Sequence, residues 1–436
     1  MVMRIYRWKF LAFALIISMI AILSATSLSA QVQVQKYLGD KLFYVFDKHI
    51  HTVQVYPAGR QLGEPVIRLG YGEQLTCSFD DFDFSGKNYS YTLYHCDPHW
   101  NISEIITQND YLSGYYYEDN IKNYTSSFNS LRDYMHYSFS FPNEYINIKY
   151  SGNYALVVYT NSVDEPAFIA RFYVTENAVD VAASVGFSKN PEFLTSKQRV
   201  SFSINTSNFR INDPYRDLLV FVTQNDRPYS KQGSIQPIGV SGSSIIYDFQ
   251  DKFEFYANNE FRFVDFSNVK YLSRKIYAIS VDKSEYHIVI LPEATFKGKP
   301  YMTTFDVNGK FQVQVKDNDN APIEAEYAYV YFTLADKIPF QNNDVYICGN
   351  FNGWQFNDDN RMTYNYEKGY FEGDLYLKQG HYDYTYVIKR SDNGMIMDYE
   401  MDGSYVETKN EYKIFVYHKS AGDDYYKLLS YAITGN

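Results

Sequence analysis

Residues 151–174, which read SGNYALVVYTNSVDEPAFIARFYV, indicate the fold class. Two of its segments, Tyr154–Tyr159 and Phe168–Val174, alternate with the period of two that is typical of a half-buried β-strand. The small and polar residues at 151–153 favour a turn just before the first segment. The stretch therefore predicts two short strands that follow a turn.

The same alternation continues on both sides of this stretch. It occurs upstream in Tyr89–Tyr94 and Tyr137–Phe141, and downstream in Arg199–Ile204 and Leu218–Thr223. The composition agrees, because 19% of the 436 residues are aromatic and aromatic side chains favour pleated sheets. With 45% hydrophobic residues the chain can bury large cores. We predict an all-β protein of consecutive immunoglobulin-like β-sandwich domains.

Changes in composition along the chain predict where these sandwiches begin and end. The aromatic density drops at Glu176–Ala183, and Lys316–Pro322 is a polar stretch of the kind that joins domains. Residues 101–134 are too long and polar for a simple hairpin loop, so we expect the first sandwich to be elaborated. The predicted units are a signal peptide at 1–30, an N-terminal sandwich at 31–177, a second sandwich at 178–320 and a C-terminal sandwich at 321–436.

The first thirty residues have the anatomy of an export signal. Three basic residues precede the apolar run Phe10–Leu23, and small residues follow it as far as Ala30. The alternative is a membrane anchor, but this run is shorter than the ~20 residues that a helix needs to cross a bilayer. We expect cleavage of the signal and a mature protein outside the inner membrane.

The charge of the chain argues against a nucleic-acid partner. Loss of Arg4, Arg7 and Lys9 with the signal lowers the basic count from 40 to 37, against 51 acidic residues. Proteins that bind nucleic acid need a basic face, because the release of counterions from the phosphates supplies much of their affinity. We therefore expect no nucleic acid among the partners.

The chain has three cysteines, Cys77, Cys96 and Cys348. An exported compartment permits disulfides, and Cys77 and Cys96 can pair if they lie on neighbouring strands. Two cysteines in so long a chain do not make a disulfide framework. The sequence leaves open whether these two form a bridge or are two buried thiols.

The densest group of chemically active side chains lies in Tyr94–Trp100, which contains His95, Cys96 and His99. Thiolate and imidazole both bind zinc, but a structural zinc site needs four ligands and no second pair accompanies these residues. The alternative is a strand end at which Trp100 packs on the core and the polar side chains bond to loop backbone. We favour the second interpretation and expect no metal and no cofactor.

The sequence contains no motif of an enzyme active site. A nucleophile elbow, a phosphate-binding glycine loop and an HExxH helix are all absent from it. The acidic group Asp80, Asp81 and Asp83 lacks the spacing of an EF-hand and is interpreted as a solvated turn. We expect a protein without catalytic activity and without a small-molecule substrate.

Several segments, taken in order, resemble a single family. They are His95-Cys96-x-x-x-Trp100 with Ser103, Tyr111-Leu112-Ser113-Gly114, Tyr134-x-His136-Tyr137, Pro142-Asn143, Ser151-Gly152-Asn153-Tyr154, Asp213-Pro214-Tyr215, Gln224-Asn225, Asn259-Glu260-Phe261-Arg262 and Lys378-Gln379-Gly380-x-Tyr382. This order resembles the type IX secretion system plug proteins of Bacteroidetes, and it spans residues 35–430. One departure is Ala170-Arg171-Phe172, where the family commonly has a second Arg before the Phe.

The resemblance implies a periplasmic protein on the inner side of the outer membrane. Such a protein docks beneath the outer-membrane translocon barrel and closes its mouth when the channel is idle. The matching residues are then interpreted as structural. They are His95, Cys96, Trp100, Ser113, Gly114, His136, Tyr137, Gly152 and Asn153.

The C-terminal region carries a second resemblance. Residues 345–354, reading VYICGNFNGW, and the later Leu377-x-x-Gly380-x-Tyr382 resemble the early-set sandwich of glycogen-binding modules. Trp354 matches a sugar-stacking Trp of such modules, whereas Thr385 stands where they have a Lys. The resemblance implies an early-set fold, and it leaves glycan binding through Trp354 as the alternative function.

Overall fold

The computed structural model describes residues 35–39, 41–114, 119–283, 285–316, 320–335 and 343–436. The predicted signal peptide at 1–30 lies outside these residues. Within them no helix combines the length and the apolar character needed to cross a membrane. Their secondary structure is almost entirely β, which confirms the predicted fold class.

The N-terminal unit is a sandwich of a six-stranded and a four-stranded sheet. The larger sheet has the order β1-β12-β11-β5-β7 with β3 beside β12, the smaller has the order β2-β4-β9-β8, and β6 pairs with β10 alone. A short helix, Gln108–Tyr111, precedes β6. The strands are β1 Phe43–Val45, β2 Ile50–Pro57, β3 Val66–Arg68, β4 Leu75–Asp81, β5 Ser90–Cys96, β6 Leu112–Gly114, β7 Asp119–Asn120, β8 Tyr124–Ser126, β9 Met135–Phe141, β10 Ile146–Ile148, β11 Gly152–Tyr159 and β12 Pro166–Thr175.

The central strands of this unit are buried on both faces, whereas the alternation predicted half-buried strands. Every residue of β5 and β11 is buried. One face packs on the core of the sandwich, with Leu93 and Leu156, and the other packs on a second cluster that includes Trp100 and Ala155. Both faces therefore contribute to cores, and the polar side chains on these strands need partners inside the protein.

The middle unit combines residues from two distant parts of the chain. One sheet has the order β13-β14-β18-β17 with β19 beside β14, and the other has the order β16-β15-β31-β32. Short helical turns lie at Pro191–Phe193, Pro214–Asp217 and Pro228–Ser230. The strands are β13 Asp180–Phe187, β14 Lys197–Asn205, β15 Leu218–Gln224, β16 Gln232–Gly233, β17 Gly239–Ser241, β18 Ser244–Tyr247 and β19 Glu254–Tyr256, with β31 Glu411–His418 and β32 Lys427–Gly435 from the C-terminus.

The third unit consists of the residues between these two parts of the sequence, and it forms a sheet of eleven strands. Its main order is β20-β29-β26-β27-β28-β25-β22-β21, with β23 on β25 and with β24 and β30 on β29. The helical turns are Ala321–Glu324, Asn350–Asn352 and Asp358–Asn360. The strands are β20 Arg262–Asp265, β21 Ile276–Asp282, β22 Glu285–Ile290, β23 Glu293–Ala294, β24 Phe311–Val313, β25 Tyr327–Ala335, β26 Asn343–Cys348, β27 Arg361–Asn365, β28 Tyr370–Lys378, β29 Gly380–Arg390 and β30 Ile396–Met397.

This large sheet curls over its own core. The side chains of Phe332 on β25 and Tyr384 on β29 meet there, with ring centroids 5.0 Å apart. Both belong to one buried cluster that also contains Val345 and Met362 from the strands between them. The third unit is therefore a sandwich whose two layers belong to one continuous sheet.

The strand pairing divides the chain differently from the predicted boundary at 320/321. β15 pairs with β31 from Leu218 opposite His418 to Gln224 opposite Tyr412, so the C-terminal hairpin belongs to the middle unit. β20 to β24 join the third sheet, although they precede the boundary. The cause is burial, because the apolar strand β15 completes its core with Ile414 and Val416. The predicted linker Lys316–Pro322 connects strands of one sheet, and its residues 317–319 lie outside the described part.

The cysteines are buried free thiols. Cys77 lies on β4 and Cys96 on β5, in opposite sheets of the first sandwich. Burial raises the pKa of both thiols above the ordinary range. Of the two alternatives left by the sequence, the structure has the two thiols.

Candidate functional site

The first group of family-motif residues meets around the ring of His95. Its Nε2 lies 3.0 Å from the carbonyl oxygen of Ser151 and therefore donates a proton, while Nδ1 lies 2.7 Å from Oγ of Ser103 and accepts one. Burial lowers the pKa of His95 to about 4, which keeps the ring neutral. Both ring nitrogens are thus occupied by the protein, and this histidine has a structural role.

Gly152 is the residue that allows this arrangement. Its φ of +141° is rare for residues with a side chain, and a Cβ at this position would lie 2.4 Å from Nε2 of His95. The backbone must therefore pass His95 without a side chain between them. Ser151-Gly152 therefore lies directly beside His95 in the fold, although the two are far apart in the sequence.

Asn153 and His99 connect the first unit to the middle one, while Trp100 packs within the first unit. Trp100 is buried, and the guanidinium carbon of Arg171 lies 4.1 Å from the centre of its ring. Asn153 accepts a hydrogen bond from the hydroxyl of Tyr417 on β31 at 2.7 Å. Trp100 thus packs as the sequence predicted, and His99 packs against Phe221 at 5.4 Å between ring centroids. No three His, Cys, Asp or Glu side chains within the described residues are grouped to hold a metal ion.

The remaining motif residues of the first unit lie apart from this group. Gly114 pairs with Ile146 between β6 and β10, and a Cβ on it would collide with the carbonyl oxygen of Tyr145. Its neighbour Ser113 is exposed on the same strand. Tyr137 on β9 donates its hydroxyl proton to the carbonyl of Lys87 at 2.8 Å. These residues hold loops and do not converge on a pocket.

His136 belongs to a buried polar centre between the first and third units. Its Nδ1 lies 2.7 Å from Asp80, which also accepts from Tyr327 and Lys378, both at 2.6 Å. Burial raises the pKa of Asp80, but the charge of Lys378 and the hydrogen bond with His136 more than offset this, so that the pKa lies below its ordinary value. Asp80 was interpreted from the sequence as part of a solvated turn. That interpretation was wrong, because Asp80 is 1% exposed and anchors β28 of the third unit.

A second buried charge network joins all three units. Glu64 of the first unit binds Lys310 of the third and Lys413 of the middle one, and Lys413 also binds Asp226. Burial would raise the pKa of Glu64, but the two lysines lower it to about 2. Burial and the charge of Glu64 together raise the pKa of Asp226 to about 6. A cavity of about 340 Å³ lies beside this network, and these four side chains are part of its wall.

Trp354, the candidate for sugar stacking, is buried at the junction of the middle and third units. Its indole is 2% exposed and packs against Arg227 and Phe261, with the guanidinium carbon 5.3 Å and the Phe ring 6.0 Å from its centre. Stacking on a sugar requires an open aromatic face, and Trp354 has none in this structure. The alternative of glycan stacking through Trp354 therefore has no support in this structure.

The charged residues that join the units are not among the sites predicted from the sequence. Lys413, for example, is followed by the apolar run Ile414–Tyr417. A single charge within such a strand signals a buried ion pair, because an isolated charge in a core is costly. Its partner Glu64 stands in a polar loop and carries no comparable signal.

Comparisons with known proteins agree with the first resemblance. Residues 50–176 match the family described as type 9 secretion system plug protein, first domain. A crystal structure of a hypothetical protein from Parabacteroides merdae superposes with a TM-score of 0.87 and 31% sequence identity, over 91% of this chain and 100% of that one. A likeness to the C-terminal domain of the Streptococcus pyogenes antigen I/II-family protein AspA has 9% identity and a TM-score of 0.16, over 88% of this chain and 100% of that one, and carries no argument.

A search of curated sequences gave no significant match. The glycogen-binding resemblance of the C-terminal region is not confirmed by these matches. The chain belongs to the same family as the Parabacteroides merdae protein, and its residues 50–176 match the first domain of the type 9 secretion system plug proteins.

Proposed function

We propose that this protein is a periplasmic plug that binds the periplasmic mouth of the type IX outer-membrane translocon and closes it when no cargo complex is present. The observation that carries this proposal is the plug-protein match over residues 50–176. The proposed activity is binding and not catalysis. The partner is a protein barrel, and the proposed location is the inner side of the outer membrane.

The architecture suits this task because a stopper must resist deformation. The units are connected by more than their linkers. Glu64, Lys310 and Lys413 join all three, and Asp80 with Lys378 joins the first to the third. Removing one partner from such a buried pair costs about 3–5 kcal/mol, so relative movement of the units is strongly opposed.

The proposal is tested first by capture of the partner. The tagged full-length protein should copurify the translocon barrel from envelope extracts, whereas an unrelated tagged periplasmic protein of similar charge should not. Repeated purifications that contain the plug and lack the barrel would contradict the proposal.

Closure is tested by permeability of the outer membrane. Deletion of this protein should sensitise cells to large hydrophilic antibiotics, and a second deletion, of the barrel, should abolish that sensitivity. The wild-type gene supplied in trans should restore resistance in the single mutant. Unchanged sensitivity of the single mutant would argue against a sealing role even if the two proteins bind.

A further inference from the structure

The sheet of the third unit ends in an edge strand that, within the described residues, has a neighbouring strand on one side only. β21, Ile276–Asp282, is the last strand of the eleven-stranded sheet and pairs with β22 from Ala278 opposite Val289 to Asp282 opposite Glu285. Within the described residues, the backbone of 278–282 has no hydrogen bond apart from those with β22. Such an edge presents free N–H and C=O groups to which another strand can add. We refer to residues 270–283 as the β21 edge.

Apolar side chains on the β21 edge remain without cover. Val281 is 53% and Tyr277 is 66% exposed, and Ile279 between them is only partly buried against the core. The preceding loop adds Tyr271 and Leu272, which are 73% and 61% exposed. An added strand would cover the side chains of Ile279 and Val281, and burial of this apolar surface would contribute to affinity.

The charge of the β21 edge is opposite to that of the whole protein. The edge contains one acidic residue, Asp282, and four basic ones, Lys270, Arg274, Lys275 and Lys283. The whole chain, in contrast, has 51 acidic and 40 basic residues. Lys275 lies 4.0 Å from Glu293, whereas Lys270, Arg274 and Lys283 are exposed. The free cations attract an acidic segment and steer its approach.

A second copy of this chain is a poor occupant of the same edge. Two β21 strands in antiparallel register centred on Ile279 would set Lys275 of one copy opposite Lys283 of the other. Like charges that lie directly opposite each other destabilise a strand pair. The charge pattern therefore selects a partner strand that is acidic at its ends.

We propose that the β21 edge is the docking strand of the plug, to which an extended acidic segment of the translocon adds as a further strand of the sheet. The proposal rests on the proposed function and locates it. The segment has apolar residues beside Ile279 and Val281, and Asp or Glu residues opposite Arg274 and Lys283. It forms main-chain hydrogen bonds along residues 278–282.

The test measures binding of the purified full-length protein to the purified barrel in detergent by biolayer interferometry. Val281→Glu and the double variant Arg274→Glu/Lys283→Glu should each raise Kd at least tenfold, and the double variant should also reduce the salt dependence of Kd. Ile433→Glu is the matched control, because Ile433 lies on the edge strand β32 with 50% exposure. Lys189→Glu/Lys252→Glu is the charge control. Thermal unfolding checks that every variant is folded.

The outcomes separate the two proposals. If the wild type does not bind the barrel, the proposed function fails. If the wild type and both edge variants bind equally well, the function stands and the docking strand is wrong. Hydrogen exchange adds a readout that a purely ionic contact would not give, since the amides of 278–282 should become protected in the complex. Unchanged exchange there, or a dimer formed through this edge, would overturn the inference.

Discussion

Among single residues, buried polar side chains join segments that are distant in the sequence. His95 bonds to the carbonyl oxygen of Ser151, and Asn153 accepts a hydrogen bond from the hydroxyl of Tyr417. The sequence placed Cys96, Trp100 and His95 correctly at a strand end, because Tyr94–Trp100 has a strong local pattern. It could not show that Gly152 passes directly over His95, because that contact depends on the pairing of β5 with β11.

Substitution of Gly152 by Ala should destabilise the protein by roughly 3 kcal/mol, because it strains the backbone and also breaks the hydrogen bond of His95 to Ser151. The matched control is Gly186→Ala on β13, where an added Cβ meets nothing within 4 Å and φ is not positive. Urea unfolding of both variants measures the difference. Equal stabilities would show that the contact between Gly152 and His95 carries no weight.

His95 should also make stability depend on pH. Its pKa is lowered from 6.5 in the unfolded chain to about 4 in the folded one. Between these values the unfolded state binds the proton and the folded state does not. The contribution of neutral His95 to the free energy of unfolding is therefore complete above pH 6.5 and is lost as the pH falls toward 4. The slope is at most about 1.4 kcal/mol per pH unit.

The variant His95→Gln isolates this contribution. Asp226 has its pKa raised to about 6 and acts in the opposite direction, so the wild-type curve alone combines several groups. The free energy of unfolding of His95→Gln should fall less steeply between pH 6.5 and 4 than that of the wild type. Parallel curves would contradict the role assigned to His95.

For the strands, local alternation predicts six of the longer ones, β5, β9, β11, β12, β14 and β15, but not their partners. Tyr154–Tyr159 lies within β11 and Phe168–Val174 within β12. β15 was also recognised, yet its neighbour β31 is almost two hundred residues away. Periodicity reports which residues are buried and not against what they are buried, and the predicted boundary at 320/321 failed for this reason.

Fragments should show this difference in topology. A chain of residues 178–320 lacks β31 and β32 and should not fold, because β15 would leave Val220 and Val222 uncovered. Residues 178–257 joined by a flexible linker to 411–436 contain both sheets of the middle unit and should fold. Circular dichroism with thermal melting distinguishes the two, and a cooperative transition in the first fragment alone would contradict the observed pairing.

For the whole molecule, the buried ion pairs that join the three sandwiches should make them unfold as one cooperative body. Trp100 reports on the first unit and Trp354 on the junction of the other two, while circular dichroism reports on all strands. We expect one unfolding transition with the same midpoint by fluorescence and circular dichroism. Separate transitions would mean that the units unfold independently.

Glu64→Gln tests what holds this body together. The variant removes the carboxylate that lies 2.5 Å from both Lys310 and Lys413 and leaves them the more distant Glu411, at 3.8 and 3.5 Å. Loss of this buried partner should cost about 3–5 kcal/mol of unfolding free energy. The control Glu372→Gln breaks the exposed pair of Lys368 with Glu372 and should cost about 0.5 kcal/mol or less.

A stopper that depends on stiffness should also seal less well when its units loosen. At equal protein levels, cells that carry Glu64→Gln should therefore be more sensitive to large antibiotics than cells that carry Glu372→Gln. If Glu64→Gln destabilises the protein and sensitivity does not change, then stiffness between the units is not what closes the channel.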